Sequence, residues 1–201
     1  MPYAHHILID LFSTFRPQIA LPTYHEDFLY FYTMSPSKIL AKFKSDLGED
    51  YHAYVHHVKR VYEYACILRL EKENERLKIA AIFHDLDIWH SQTMDYLKGS
   101  ATLAGAYIQH QNLLVDIPQV EMNINRHHQI TKIKDNPEAE AFRKADLIDL
   151  TSGWIHFNIP KSIIVDTERR YPRLGFTSKI AKRSIQWSLR HPFRPLPMIR
   201  W

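Results

Sequence analysis

An apolar run, Ile79-Ala80-Ala81-Ile82-Phe83, leads directly into the polar pair His84-Asp85 and constrains the fold more than any other stretch. The run is typical of a buried helix. The imidazole and the carboxylate at its end are therefore expected to be buried together with the helix. Adjacent helical residues point about 100° apart, and their side chains converge only on an object between them. A divalent metal ion is such an object; a solvated helix end or an internal His-Asp hydrogen bond is the alternative.

The rest of the chain predicts a mostly helical protein. Only 5 glycines occur in 201 residues, and the apolar residues recur at helical rather than strand spacing. The length fits one domain, or one domain with extensions.

Net charge and cysteine content limit the ligands and the cellular compartment that we expect for this protein. A formal net charge of +4 suits an anionic ligand but is too small to indicate nucleic-acid binding. The single cysteine, Cys66, excludes an internal disulfide and favours a reducing compartment. No apolar run approaches the roughly 20 residues of a membrane span, and the N-terminus lacks the basic start of a signal peptide. We therefore expect a cytoplasmic protein without a transmembrane segment.

Helix signals place the remaining polar candidates. His57 lies beside the apolar stripe of a helix predicted over 54–70. Pro137 begins a helix in which Asp146 has apolar neighbours, so its carboxylate needs a cation or hydrogen-bond partners. Other helices are expected at 6–15, 77–86, 101–111, 118–128 and 178–189. We expect a loop at 87–95, and prolines that break up the chain after Trp154.

His57, the pair His84-Asp85, and Asp146, in this order, resemble the ligand set of the HD-domain superfamily of metal-dependent phosphohydrolases. In that family the first ligand is commonly followed by a hydrophobic residue and then by Arg-Val three and four places on, as in the stretch HVKRV at 57–61, which favours His57 over His56. The stretches HDLDIW at 84–89 and YPRLGF at 171–176 also look like a little-characterised bacterial subgroup of HD proteins.

This resemblance implies an all-α fold, an HD-domain helical bundle that forms a single domain over residues 1–201. Its core would span about 45–155, with an N-terminal helical extension at 1–44. The C-terminal extension at 156–201 would end in a basic tail rich in proline and aromatic residues. The implied cofactor is a divalent metal ion (Mn, Mg, Fe, Ni, Co or Zn) held by His57, His84, Asp85 and Asp146.

The implied activity is hydrolysis of a small anionic phosphate ester, with a nucleotide among the candidates. Two carboxylates neutralise a divalent ion, which lowers the pKa of a coordinated water and polarises a phosphoryl oxygen. Asp85, Asp87 and His128 are the predicted catalytic residues. Cations would take up the developing charge, and the predicted substrate-binding residues are Lys98, Arg126, Arg143 and Lys144.

A second metal site is a further expectation from the resemblance. In relatives with two or three metals, histidines between the His-Asp pair and the last Asp bind the extra ions. His127, His128 and His110 are the candidates here, although Ala101 stands where dinuclear relatives often have another histidine. We therefore expect one firmly held metal, with His127 or His128 lining the pocket.

Two other functions stay open on the sequence. One is an HD-fold module that binds a nucleotide or a partner without catalysis. The other is an HD-fold di-iron oxygenase, which needs six protein ligands, including two further histidines such as His110 and His127 or His128. Exposed apolar residues in the extensions also leave a homodimer open.

Overall fold

Helices account for nearly all the regular structure in residues 35–200, the part of the chain that the structure, a computed structural model, describes. An isolated parallel bridge between Gln129 and Arg200 is the β-type pairing in that range. Two short 3-10 turns cover Ala41–Phe43 and Gly48–Asp50. The α-helices are α1 (Pro36–Leu40), α2 (Lys44–Leu47), α3 (Tyr51–Arg69), α4 (Glu75–Phe83), α5 (Asp87–His90), α6 (Leu97–His110), α7 (Ile117–Arg126), α8 (Pro137–Leu150), α9 (Lys161–Arg170) and α10 (Phe176–Arg190).

The predicted all-α class is confirmed, and local signals explain where several helices begin. Asn74, Asp116 and Asn136 cap α4, α7 and α8, each accepting a hydrogen bond from the third backbone N–H that follows. Such a cap contributes about 1 kcal/mol. Prolines in the first turn of α1, α7 and α8 cost nothing there, because those N–H groups have no helical partner. The helix expected at 6–15 lies outside the described residues.

Two helices differ from the sequence prediction. The chain after Trp154 is not simply broken by prolines, because α9 occupies the space between Pro160 and Pro172. Pro160 lies just before its first turn, where a missing N–H is harmless. The segment expected as a loop contains α5, whose single turn is too short to show a period in the sequence. The division into core and extensions stays a prediction.

The buried helix α4 determines where the polar cluster lies. All seven of its residues from Leu77 to Phe83 are buried, and α4 contacts α3, α6 and α7. Burying a large apolar side chain contributes about 1.5–3 kcal/mol, so this helix is held strongly inside the molecule. The C-terminal end of α4 therefore lies in the interior of the protein, and His84 and Asp85 follow it there.

The helices around α4 bring further polar residues toward its end. α3 packs along α8 and also contacts α4, while α7 packs against α4, α6 and α8. At the periphery α10 buries only Phe176, and the last described residues return to the body through a hydrogen bond from Ile130 N to Arg200 O (2.8 Å). Within residues 35–200 no helix has both the length and the apolar character required to span a membrane.

Candidate metal centre

Two of the predicted ligands follow the C-terminal end of α4. The His84 and Asp85 side chains are 0% and 7% exposed. His84 Nδ1 donates a hydrogen bond to Ala81 O (2.8 Å), one turn earlier in the chain. Because a carbonyl oxygen only accepts, the ring proton is on Nδ1, and Nε2 of the neutral ring keeps its lone pair.

α3 brings His57, and not His56, to the same place. His57 is buried, and its Nδ1 donates to Asp149 Oδ2 at 2.7 Å, which again leaves Nε2 with a lone pair. The half-buried His56 instead contacts Pro172 O through Nδ1, at 2.8 Å. Phe176, the first residue of α10, stacks on the His57 ring with a centroid distance of 4.0 Å. One face of the His57 ring and its Nδ1 edge are thus held by neighbours.

Four donor atoms from three parts of the chain converge in a group that we call the inner cluster: His57, His84, Asp85 and Asp146. The two Nε2 atoms are 2.9 Å apart. Each lies between 3.5 and 3.7 Å from Asp85 Oδ2 and Asp146 Oδ1. Asp146 comes from α8, which packs along α3, so helix packing alone assembles the group.

This arrangement fits a divalent metal ion. Two imidazole lone pairs that face each other at 2.9 Å repel unless a cation lies between them. Ligands about 2.0–2.1 Å from one ion lie roughly 3 Å apart, close to the donor separations of the inner cluster. Two imidazoles and two carboxylates form a donor set that zinc, iron, manganese and related ions accept.

The electrostatics of the inner cluster also favour a cation. Burial alone lowers the pKa of His57, but hydrogen bonds to Asp149 and Asp85 outweigh it and raise the pKa to about 9. Burial likewise raises the pKa of Asp85, yet His84 and the other neighbouring imidazoles hold it well below its usual value. A proton on His57 and a metal ion would therefore compete for the same position.

Asp149 is a buried carboxylate that was not among the predicted ligands, and it orients the His57 ring. Asp149 accepts hydrogen bonds from His57 Nδ1 and from Arg60 Nε (2.5 Å) and Nη2 (3.0 Å), and both Arg60 and Asp149 have fully buried side chains. Burial opposes its ionisation, but His57 and Arg60 keep the pKa of Asp149 well below the usual range. The sequence signal for this pair is the spacing of three residues from His57 to Arg60 and from Asp146 to Asp149, which places each pair on one helix face.

A second group of donors shares Asp85 with the first, and we call Asp85, His127 and His128 the outer cluster. His127 Nδ1 donates to Ile124 O (2.6 Å), so Nε2 has the lone pair. His127 Nε2 and Asp85 Oδ1 face each other at 3.4 Å. Among residues 35–200 neither atom has a hydrogen-bond partner, although both are buried. A buried, unpaired acceptor costs about 1–3 kcal/mol, so this pair favours a proton or a metal ion between its two atoms.

His128 is the most exposed member of either cluster. Its side chain is 19% exposed, and its Nδ1 lies 4.0 Å from Asp146 Oδ2. Nε2 shares a hydrogen bond of 2.7 Å with the hydroxyl of the buried Tyr96. Burial and the nearby His127 lower the pKa of His128 to about 4, so the ring is neutral at pH 7. His128 therefore marks the side from which solvent reaches the clusters.

The structure does not bring two other predicted residues to these clusters. His110 is exposed at the end of α6, where its Nδ1 contacts Gln111. Asp87 is buried, but it accepts a hydrogen bond from Ser91 Oγ (2.5 Å) and lies against Gly99. A Cβ at position 99 would come within 1.9 Å of Asp87 Oδ2, so this glycine leaves the space that the carboxylate fills.

The four predicted substrate-binding cations lie at other contacts. Arg143 and Lys144 both reach Glu140, at 2.8 and 3.6 Å, on their own helix. Arg126 pairs with Asp135 (2.9 Å), and Lys98 is exposed on α6. The cations whose described contacts approach the inner cluster are Arg60 and Arg173, both through Asp149.

Comparisons with known proteins identify no relative of this chain. No family model matches the chain, and no match is found among curated proteins or among solved structures. The interpretation of the site therefore depends on its own chemistry.

Proposed function

We propose that this chain is a metal-dependent phosphohydrolase of the HD-domain type, which hydrolyses a small phosphate ester. The observation that carries the proposal is the inner cluster, where two imidazole nitrogens with lone pairs lie 2.9 Å apart between two buried carboxylates. Two neutral rings in this arrangement repel each other, so the position between them has to hold a proton or a metal ion, and the two buried carboxylates beside it favour a divalent ion.

The proposal includes a second ion, which Asp85, His127 and His128 of the outer cluster would hold. Support comes from Asp85 Oδ1 and His127 Nε2, which are buried, face each other and have no hydrogen-bond partner within residues 35–200. The sequence interpretation of one firmly held metal, with His127 or His128 only lining the pocket, is replaced by this two-ion proposal.

The clusters would hold divalent ions, which would supply a nucleophilic water near neutral pH and polarise a phosphoryl oxygen when bound. Asp85 holds both positions through its two carboxylate oxygens, and Asp149 keeps the His57 lone pair directed inward. His128, neutral and partly exposed, presents a ring nitrogen where the phosphoryl group enters, and Tyr96 fixes its orientation. Asp87 has no part in this scheme, since its carboxylate bonds to Ser91.

The shape of the entrance limits the substrate. Only His128 among the cluster residues has appreciable exposure, so the opening admits a phosphoryl group at the end of a substrate rather than a wide surface. Arg126, Arg143 and Lys144 are paired with acidic residues and offer no ready clamp for the phosphate. A small monoester is therefore the substrate class that we propose, in a cytoplasmic setting consistent with the single, buried Cys66.

Elemental analysis of the purified protein, followed by a screen of phosphate monoesters with the metal found, tests the proposal. We expect His57→Ala to lose both the bound metal and the hydrolytic activity. His56→Ala should keep both, because the His56 ring lies outside the inner cluster. Equal metal content in the two variants, or hydrolysis by a metal-free sample, would contradict the proposal.

A di-iron oxygenase is the second candidate, because the inner and outer clusters together provide six side chains, His57, His84, Asp85, His127, His128 and Asp146. Oxygen consumption and visible absorbance of an iron-loaded sample distinguish the two functions. Turnover of oxygen without phosphate release would favour the oxygenase.

A further inference from the structure

The C-terminal part of the chain has a one-sided charge. Residues 176–200 contain six lysine and arginine residues and no aspartate or glutamate. Lys179 and Arg183 pair with Asp50 on the body of the protein, and Arg194 pairs with Asp95. Lys182 and Arg190 form no ion pair with any residue in the range 35–200. This region therefore has an excess of positive charge, with Lys182 on its outer side and Arg190 on the side that lines a pocket with Ile88 and Arg183.

The same region exposes large apolar side chains in a line. Ile185 and Leu189 are 62% and 79% exposed on the outer side of α10, one turn apart. Phe193 follows at the next four-residue step and is fully exposed, and Leu196 is 47% exposed. The opposite side of α10 faces the protein, where Phe176 is buried and Arg183 lies over the Trp89 ring. α10 is therefore an amphipathic helix with an outer apolar stripe beside Lys182.

We propose that this outer face, made of Lys182, Ile185, Leu189, Phe193 and Leu196, docks on the surface of an anionic phospholipid bilayer. A helix that lies in the plane of a bilayer inserts its apolar stripe at the acyl boundary and places flanking lysines and arginines at the phosphate headgroups. The proposal does not depend on the function of the metal centre.

Charge complementarity favours a lipid surface over the other occupants. Two copies of this chain that paired through the face would oppose lysine and arginine with no acidic residue from 176 to 200 to balance them. A nucleic acid would match the charge but leave four large apolar side chains without contacts. An anionic bilayer satisfies both the charge and the apolar stripe.

Co-sedimentation of the full-length protein with vesicles tests this proposal. We use vesicles of phosphatidylcholine alone and of equal parts phosphatidylcholine and phosphatidylserine. We expect binding to the anionic vesicles that decreases at high salt, and little binding to the neutral ones. Equal binding to both, or to neither, overturns the proposal.

Matched variants locate the interaction on the face. The variant Lys182→Glu is expected to bind anionic vesicles roughly fivefold more weakly, from about one lost basic contact. Lys132→Glu changes the net charge equally at an exposed position elsewhere and should lose much less. Likewise Leu189→Ser should reduce binding, and Leu114→Ser, at a leucine 88% exposed outside the face, should not.

Three results would contradict the assignment. Equal losses in the two charge variants would mean that net charge alone draws the protein to lipid. Retention of binding in Leu189→Ser with loss in Leu114→Ser would place the contact elsewhere. A wild-type dimer that Leu189→Ser converts to a monomer, with no vesicle binding in either, would assign the face to a second copy of the chain. Circular dichroism confirms that the surface variants remain folded.

Discussion

The inner and outer clusters use the same residue types but differ in how fully their side chains are buried and oriented by neighbours. In the inner cluster a hydrogen bond at Nδ1 orients each ring, to Asp149 for His57 and to Ala81 O for His84. All four side chains are buried. In the outer cluster His127 is oriented by Ile124 O, but His128 is partly exposed and lies 4.0 Å from Asp146. Under the proposed function, the inner cluster would therefore hold its ion more tightly than the outer cluster, whose His128 side chain is partly exposed.

Removing an inner ligand is the change with the largest expected effect. His84→Ala should weaken metal binding by more than 100-fold, a larger loss than the roughly 10–100-fold typical of an outer-shell change. Because Asp85 joins both clusters, we expect the second ion to be lost as well. Elemental analysis after gel filtration measures the metal content, and His90→Ala, on an exposed ring paired with Asp46, is the control. Two ions retained in His84→Ala would contradict the account.

Metal removal should destabilise the wild type by several kcal/mol. A ligand present at about 1,000 times its Kd stabilises the folded state by about 4 kcal/mol. We therefore expect a chelator to lower the Tm of the wild type clearly and to leave the Tm of His84→Ala almost unchanged. Differential scanning calorimetry makes this comparison. Equal shifts in both proteins would show that the inner cluster does not hold the ion.

Asp149→Asn tests whether the preorganisation of the inner cluster matters. An amide that replaces the carboxylate weakens the hydrogen bond to His57 Nδ1, so metal affinity should decrease roughly 10–100-fold. Competition with a coloured chelator measures this affinity. Asp166→Asn, at an exposed carboxylate on α9, serves as the control. An unchanged affinity in Asp149→Asn would remove the proposed difference between the two clusters.

His127→Ala should separate the clusters. We expect the variant to keep the inner ion and lose the outer one, so that the metal content decreases from two equivalents to one. His110→Ala is the matched control, because that ring lies exposed at the end of α6. Loss of both ions in His127→Ala, or an unchanged content, would contradict the two-cluster description.

Asp50, whose side chain is 12% exposed, provides the smallest expected effect and a contrast to the fully buried Asp149. Burial opposes the ionisation of Asp50, but Lys179, Trp89 and Arg183 lower its pKa below 3.8. A lowered pKa stabilises the fold above the unfolded-state value, and this stabilisation is lost as the pH falls through the folded-state value. Asp50→Asn should therefore cost less than about 1 kcal/mol near pH 7 and still less near pH 3.

Urea unfolding at the two pH values measures that difference. A larger deficit of Asp50→Asn at the lower pH would have the wrong sign and would exclude a stabilising ion pair at this position.

The helices and the inner ligands were the parts of the molecule most accessible to sequence reasoning. Helix positions follow from apolar spacing and from start signals such as Asn74 and Pro137, which act locally. Predicting that His84 and Asp85 lie inside needed only the apolar length of α4. α9 was missed because the prolines on either side, Pro160 and Pro172, were interpreted as breaks rather than as boundaries.

Contacts between distant segments were less accessible. The partnership of Asp149 with His57 depends on how α3 lies against α8, which no local signal encodes. Arg143 was a candidate for phosphate binding until the structure placed it on Glu140, three residues earlier. The contribution of both His127 and His128 depends on the turn after α7, where the chain leaves the helix toward Asp85.

Anomalous diffraction from crystals of the metal-loaded protein, recorded at the absorption edge of the bound metal, tests the central claim most directly. We predict a strong peak bonded to His57 Nε2, His84 Nε2, Asp85 Oδ2 and Asp146 Oδ1. The account would be contradicted if no peak appeared there and the two imidazoles remained in direct contact, joined by a proton.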